Sequence, residues 1–525
     1  MILNGLINKR ISLVFLFPLV LGMLTVFTFQ PFNLTFLNFL IIPCLFTILV
    51  YVNKKSKSTY RKKPYLINLF YIGYFFGVGF FLTGTYWISQ SLTFDSDLNY
   101  LIPLSLVLIP LFLGLFYGVS TIIVGPFLKS NFPSILLFCA SFSFLDYLRA
   151  KIFTGFPWNL WAYSWSWFIE ILQILNPIGL FAFNLLTLTI FCSPLLILHR
   201  KNNLNLSIFF FLILLFFSNY IYGSFSINKN TKFINNLGQN ENNLTSIKIV
   251  SPNFDLNYNL SQIELNNQIL KIIKYSEPKK NEKTLFIWPE GVFGGYSYSE
   301  VNEIKKIFQK NFSKDHTIIF GINLRNEYSD KESYFNSLVA VNNNFEIIYK
   351  YNKQKLVPFG EFLPFEDFLN NFGLKQISRG YGSFSKGTKQ QNLIIYDYKI
   401  LPLICYEIIF PEMIQNKIGE INFILNISED GWFGGTIGPY QHFTKAIFRA
   451  IESNTYLLRS ANKGISAFIN NKGIPIKRLE PYESGNIELK IPLIQNNFKN
   501  RNDLIFFLLL FTYTVIFLTL KNRFK

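Results

Sequence analysis

Two textures divide the chain. Apolar runs of helix-spanning length fall at residues 11 to 30, 35 to 52, 66 to 89, 101 to 128, 132 to 148, 169 to 198 and 206 to 223, and an eighth falls at 504 to 520. About 20 apolar residues in a helix cross a bilayer core, so the pattern predicts about eight transmembrane helices. Between 226 and 500 the sequence is instead rich in Asn and Lys, broken by short β-branched or aromatic runs such as "SIKIV", "TLFIW", "HTIIFGINL", "FNSLVAV", "FEIIYKY", "LPLICYE", "NFILNIS" and "YLLRSAN". Stretches with apolar residues every three or four positions alternate with them, including "NLSQIELNNQILKIIKYSE" and "QHFTKAIFRAIESN". Short strands alternating with amphipathic helices predict a layered α/β domain. The expected organisation is a seven-helix membrane bundle over 1–225, an α/β domain over 226–500 and a last membrane helix with its tail over 501–525.

Composition agrees with a membrane protein: half of the 525 residues are hydrophobic and mean hydropathy is positive. Basic residues in short loops are retained on the cytoplasmic side. The segments "NKR", "NKKSKSTYRKK", Lys129, "HRK" and "KNRFK" hold 14 of them, all on one face if eight spans alternate, whereas the opposite loops offer only Arg149 and Lys151. Both termini are therefore expected in the cytoplasm and residues 226–500 outside it. The net charge of +18 is then largely topological, and no nucleic-acid partner is expected. The first run lacks a small-residue cleavage site and reads as an uncleaved anchor.

Candidate chemistry starts from the four cysteines. Cys44, Cys139 and Cys192 lie in predicted spans, where small apolar packing accounts for them. Cys405, at the end of "LPLIC", is the one left in the α/β domain, with no partner there for a disulfide. A thiol attacks as thiolate and needs a base or a positive neighbour. Of three histidines, His199 ends a span, His316 opens a strand where a surface role is expected, and His442 in "GPYQHF" gives a weak Cys–His case. One cysteine and two scattered histidines make no zinc spacing, and no nucleotide-binding loop or G-x-S-x-G elbow is present. A buried carboxylate can serve as base and a lysine can hold an oxyanion. Glu290 ends "TLFIWPE", Lys353 follows "FEIIYKYN", and "SEDGWFGG" follows "NFILNI". All sit at strand ends, where chemistry collects in open α/β folds.

The order Glu after "WP", Lys before "LVPFGE" and Cys before "YE" resembles the Glu-Lys-Cys triad of the nitrilase superfamily. With the predicted spans around it, the chain resembles the bacterial apolipoprotein N-acyltransferases. "TGFPWNLWAY" (154–163), "WPEG" (288–291), "YNKQKLVPFGEFLPF" (351–365), "ICYE" (404–407), "NISEDGWFGG" (426–435), "GPYQHF" (438–443) and "RAIESNTYLLRSANKGISA" (449–467) carry the likeness. Two departures are Glu429-Asp430-Gly431, where Asp or Asn before a small residue is common, and Ser251, where a Gln is common.

The resemblance implies a membrane bundle carrying an α-β-β-α sandwich, and a ping-pong acyl transfer. Glu290 would deprotonate Cys405, whose thiolate takes the sn-1 acyl chain of a membrane phospholipid. Lys353 and the backbone N–H after Cys405 would hold the oxyanion. The thioester would then acylate the α-amine of a diacylglyceryl-cysteine apolipoprotein, with no metal or other cofactor. Glu361 and Glu407 are implied as supporting carboxylates. Tyr406 supports the nucleophile, and Tyr406 and Trp432 flank the presumed acyl entrance, Trp432 as a substrate-binding residue; core packing is the competing account of both. Residues 359–384 read as an interfacial lid, and the Trp-rich stretch 153–167 as a belt at headgroup depth. The implied location is the bacterial inner membrane with the catalytic domain on the periplasmic side. A membrane-tethered amidase acting on a small amide shares the triad and stays open, and a transporter or scaffold would need unpaired charges deep in the bundle.

Overall fold

Apolar pattern and backbone breaks together set the membrane part. The computed structural model describes residues 11–59, 64–198, 203–237, 245–301, 303–327, 333–364, 383–388, 392–415, 421–493 and 503–521. Among the described residues, six helices are long and apolar enough to cross a membrane: Thr35–Lys55, Tyr65–Gly84, Ser96–Phe127, Phe132–Lys151, Leu180–Leu198 and Asn203–Ile234. Shorter apolar helices run over Ser12–Thr28, Ile169–Ile178 and Leu504–Leu520. The predicted run 169–198 is thus two pieces, because Gly179 takes a left-handed φ of 81° and ends the first. Ser12–Thr28 mixes a π turn, an α segment at Phe17–Met23 and a 3₁₀ turn at Leu24–Thr28. The predicted eight spans accordingly appear as six long helices and three shorter ones.

The chain folds as two compact units, one of residues 1–90, 99–226 and 501–525, the other of residues 91–98 and 227–500. In the first, a Cβ on Gly22 would lie 2.0 Å from the carbonyl oxygen of Phe76, and one on Gly79 would lie 2.0 Å from that of Leu19. Small residues let membrane helices approach backbone to backbone, and these two glycines do so from opposite sides of one contact. The interior charge is paired: Arg149 donates to Asp146 at 3.0 Å, and the Asn184 amide donates to the other carboxylate oxygen at 3.2 Å. Two sequence expectations change here. Trp158, Trp161 and Trp165 are core residues rather than a headgroup belt, with Trp161 stacked on Phe80 at 5.0 Å, and of the tryptophans in that stretch Trp167 alone is exposed. Cys139 and Cys192 pack together, sulfurs 3.7 Å apart, but Cys44 is exposed on its helix.

Among the described residues, the second unit holds two six-stranded sheets. The first has the order β12-β1-β2-β3-β4-β5 and the second β11-β10-β9-β8-β7-β6. The strands are β1 Ser246–Ser251, β2 Thr284–Ile287, β3 His316–Arg325, β4 Tyr334–Val341, β5 Ile347–Asn352, β6 Leu393–Ile395, β7 Tyr398–Ile404, β8 Phe423–Glu429, β9 Tyr456–Asn462, β10 Ser466–Ile469, β11 Pro475–Leu479 and β12 Gly485–Lys490. In the parallel centres β1-β2-β3 and β7-β8-β9, strands β1, β2, β8 and β9 are buried throughout, which explains their nearly unbroken apolar runs. Ile247, Leu285, Ile319 and Leu338 meet Ile400, Phe423, Leu425 and Leu458 in the core between the sheets. The outer face of the first sheet packs Val250, Phe286, Trp288 and Phe320 against Ile269 and Ile273 of helix Gln262–Ser276 and Phe308 of helix Ile304–Asn311. Helix Gly438–Ser453 packs on β9 in the second sheet. His316, expected at the surface, is buried, its ring accepting from the Ser313 N–H at 3.1 Å and lying 3.0 Å from the Lys279 carbonyl oxygen.

Gly79→Val places a side chain where the Leu19 carbonyl already sits. The expected outcome is a loss of about 1–3 kcal/mol or more from overpacking, read as a lower unfolding midpoint of the detergent-solubilised protein; an unchanged midpoint would mean the helices separate at no cost.

Candidate active site

Glu290 follows β2 by three residues, after Trp288 and Pro289. Its Oε1 accepts from the Asn336 amide at 2.7 Å and its Oε2 from the backbone N–H of Glu429 at 3.1 Å. Asn336 lies on β4 and shares a strand face with Leu338 and Ala340 of the inter-sheet core. The same amide nitrogen donates to Glu361 Oε1 at 2.7 Å. Lys353 is the residue after β5, and its N–H continues the ladder to the Asn336 carbonyl oxygen at 2.9 Å. Its ammonium donates to Glu361 Oε1 at 2.7 Å and stands 3.8 Å from Glu290 Oε1. Glu361 reaches back over the turn Val357-Pro358-Phe359-Gly360, and its Oε2 accepts from the Val357 N–H at 2.9 Å. Two carboxylates thus share one ammonium and one amide.

Cys405 is the first residue after β7, where the chain turns into the 3₁₀ segment Cys405–Ile409. It has φ of 47°, a left-handed conformation that costs an L-residue about 1–2 kcal/mol, and it is half-buried. Strain of this kind concentrates where a side chain must be aimed. Glu407, fully buried, ties this turn to the lysine loop. Its Oε1 accepts from the N–H groups of Gln354 at 2.6 Å and Lys355 at 3.1 Å, its Oε2 from the Ile404 N–H at 2.8 Å, and both oxygens from the Tyr351 hydroxyl at 2.9 Å. One side chain therefore fixes the segments that carry Lys353 and Cys405.

Charge in this pocket is unevenly shared. Burial pushes the Glu290 carboxyl up, the nearby Lys353 pulls it down, Glu361 raises it again, and the net direction is upward. Burial alone would lower the Lys353 ammonium, but Glu361 and Glu290 outweigh it and hold the proton on nitrogen. Burial and the Glu290 charge push the Cys405 thiol well up, against the pull of Lys353. The thiol is a poor thiolate until a base takes its proton, and Glu290 is a carboxylate of raised basicity among the charges that act on it.

Glu407 is pushed up by burial and drawn down by its three backbone donors. Tyr406 lies edge-on to Phe410, ring centroids 5.1 Å apart. Trp432 is stacked on Tyr258 at 5.9 Å and meets Phe94 edge-on at 5.4 Å. His442 sits with its Nδ1 3.0 Å from Asp430 Oδ1, and burial together with Arg459 lowers its imidazole to about 4, so the ring is neutral. The presumed lid, 359–384, lies outside the described residues over 365–382.

Several residues at the site were not singled out from sequence: Asn336, Tyr258, Asn426, Ser428 and Arg459. Tyr258 lies close enough to Glu429, Glu290, Glu361 and Cys405 for their charges to act on its phenol. The available signal was polarity in the wrong place, since Asn336, Asn426, Ser428 and Arg459 interrupt apolar strand runs and are buried, which requires hydrogen-bonded partners.

Residues 21–193 match the family model described as apolipoprotein N-acyltransferase N-terminal domain, and residues 249–495 match the carbon-nitrogen hydrolase model. The chain is 31% identical to the apolipoprotein N-acyltransferase of Rhizobium leguminosarum over 432 residues, covering 80% of each chain. The chain belongs to the apolipoprotein N-acyltransferase family. Other members of that family are similar along comparable or greater lengths: that of Brucella melitensis is 30% identical over 77% of this chain and 76% of its own. That of Rhodopseudomonas palustris is 28% identical over 90% of this chain and 88% of its own. The carbon-nitrogen hydrolase match takes in all the pocket residues described above, and the apolar helices mark this family member as a membrane protein.

Tyr351→Phe removes one charge-assisted donor to Glu407 and is expected to lower stability by about 1.5–3 kcal/mol in denaturant titration. Glu407→Ala leaves three backbone N–H groups, that of Ile404 buried, without their acceptor and is expected to cost more; equal losses would show that the backbone donors contribute nothing.

Proposed function

We propose that this protein transfers the sn-1 acyl chain of a membrane phospholipid, through a thioester on Cys405, to the N-terminal α-amine of diacylglyceryl-cysteine apolipoproteins. The observation that carries the reading is the placement of Glu290, Lys353 and Glu361 within hydrogen-bonding or ion-pair reach, with the charges of Glu290 and Lys353 acting on the Cys405 thiol. Family membership and the apolar helices support the lipid substrates.

In the first half-reaction Glu290 takes the thiol proton as sulfur bonds to the ester carbonyl carbon. The carbonyl π pair moves to oxygen, where the Lys353 ammonium and the Tyr406 N–H receive it. Collapse breaks the bond to the glycerol oxygen, Glu290 returns its proton there, and lysophospholipid leaves. In the second half, the neutral amine attacks the thioester carbon, Glu290 takes the amine proton, and the sulfur departs, recovering that proton from Glu290, to leave an amide and the free thiol. Glu361 keeps Lys353 charged and oriented, Glu407 fixes the two loops, and Tyr406 and Trp432 border the acyl path.

The membrane completes the reading. Each acyl CH₂ buried in lipid is worth about 0.8 kcal/mol, so both substrates stay anchored and the pocket has to work at the bilayer surface. The reading takes 1–225 and 501–525 as the membrane bundle and 226–500 as the catalytic domain, with both termini in the cytoplasm and catalysis on the periplasmic side of the inner membrane. The basic residues gathered in the short loops of one face support that orientation.

Purified protein incubated with phospholipid is expected to gain one acyl mass on the peptide containing Cys405, labile to hydroxylamine and absent in Cys405→Ala. Turnover of a water-soluble amide with no lipid adduct would replace the transferase by a hydrolase.

The base must be ionised, and its carboxyl is raised, so activity is lost as pH falls through a value above that of a free glutamate, about 4.3. The Asn336 donor lowers Glu290; Asn336→Ala is therefore expected to move the acid limb of kcat/KM to higher pH, and a shift to lower pH would remove Glu290 from the base role.

A further inference from the structure

Arg459, Asn426 and Leu403 stand side by side across three parallel strands, β9, β8 and β7, in the observed register. Arg459 is fully buried. One of its nitrogens donates to Asn426 Oδ1 and the other to both oxygens of Asp430 at 2.8 Å. Asp430 in turn accepts from the Ser428 hydroxyl at 2.6 Å and neighbours His442. With its oxygen held by Arg459, the Asn426 amide has its NH₂ directed at the β7 end, where it donates to the carbonyl oxygens of Leu403 at 3.3 Å and Cys405 at 3.5 Å.

The Cys405 carbonyl belongs to the same planar trans peptide as the Tyr406 N–H, and in such a unit C=O and N–H point in opposite directions. Whatever holds that oxygen on one side therefore aims the N–H to the other. We infer that Asn426, oriented by Arg459, is a positioning residue that sets the peptide plane after Cys405 and so aims the backbone donor at the oxyanion of acyl transfer. This rests on the thioester reading above and adds to it a fixed donor direction. The left-handed turn at Cys405 is the place where such a plane would otherwise relax, since its conformation is disfavoured locally. A buried guanidinium anchored by a carboxylate suits the task, because its planar fork fixes two acceptors at once.

The test separates oxyanion chemistry from thiol chemistry. Acylation of Cys405 by phospholipid passes through an oxyanion, whereas alkylation by iodoacetamide is a displacement at carbon that forms none. Asn426→Ala is expected to slow single-turnover acylation about 10- to 100-fold, approaching the loss of an oxyanion donor, with KM for phospholipid and the alkylation rate within about twofold of wild type. Asn426→Asp keeps an acceptor for Arg459 but loses the donor and sets an oxygen against the two carbonyl oxygens; it is expected to be less stable to heat than wild type and to match Asn426→Ala in acylation. Equal slowing of acylation and alkylation, or wild-type acylation in both variants, would overturn the inference. A wild-type protein that forms no Cys405 adduct would overturn the thioester reading instead.

Discussion

One ammonium set between two buried carboxylates governs the site. Lys353 bonds Glu361 at 2.7 Å and stands 3.8 Å from Glu290, so its charge cannot fully satisfy both. Asn336 is shared between the same two acids, which keeps Glu290 within the network yet less strongly paired. Burial then raises the proton affinity of Glu290, which suits the base role proposed for it. A second lysine would lower the proton affinity of Glu290, and a missing Glu361 would leave the ammonium without its nearest partner.

That arrangement depends on loops being held to within a fraction of an ångström. Glu407 does this with a single carboxylate that accepts from both the lysine loop and the cysteine turn. Beneath the second sheet's strand ends, Asp430, Arg459, His442 and Ser428 form a connected polar cluster in which each charge meets an opposite charge or a hydrogen-bond donor. Arg459 offsets the burial of Asp430 and draws its carboxyl well below the usual range. Buried charges of this kind are tolerated when paired, and here the pair sits on β9 and just after β8, the strand next to the one that leads into Cys405.

Much of the chain was legible before any coordinates. Apolar length located most of the membrane helices, and the strand runs "TLFIW", "LPLIC" and "NFILNIS" became β2, β7 and β8. Where the reading failed, tertiary context was the cause. Run 169–198 broke at Gly179, whose positive φ composition does not announce. The tryptophans of 153–167 went to the core because neighbouring helices supplied aromatic partners such as Phe80. His316 was buried because a loop carbonyl and a backbone N–H met its ring.

Sequence by itself determined the chemistry available: an acid after β2, a lysine after β5 and a single thiol after β7, on strands whose apolar runs required burial. Only the tertiary structure decided how that chemistry is tuned. Asn336, Asn426 and Arg459 are polar residues in apolar strands, and their purpose appears only when register sets Arg459 beside Asn426 and the ladder sets Lys353 beside Asn336. Hydrogen bonds between residues far apart in the chain depend on pairing across sheets, which local pattern does not encode.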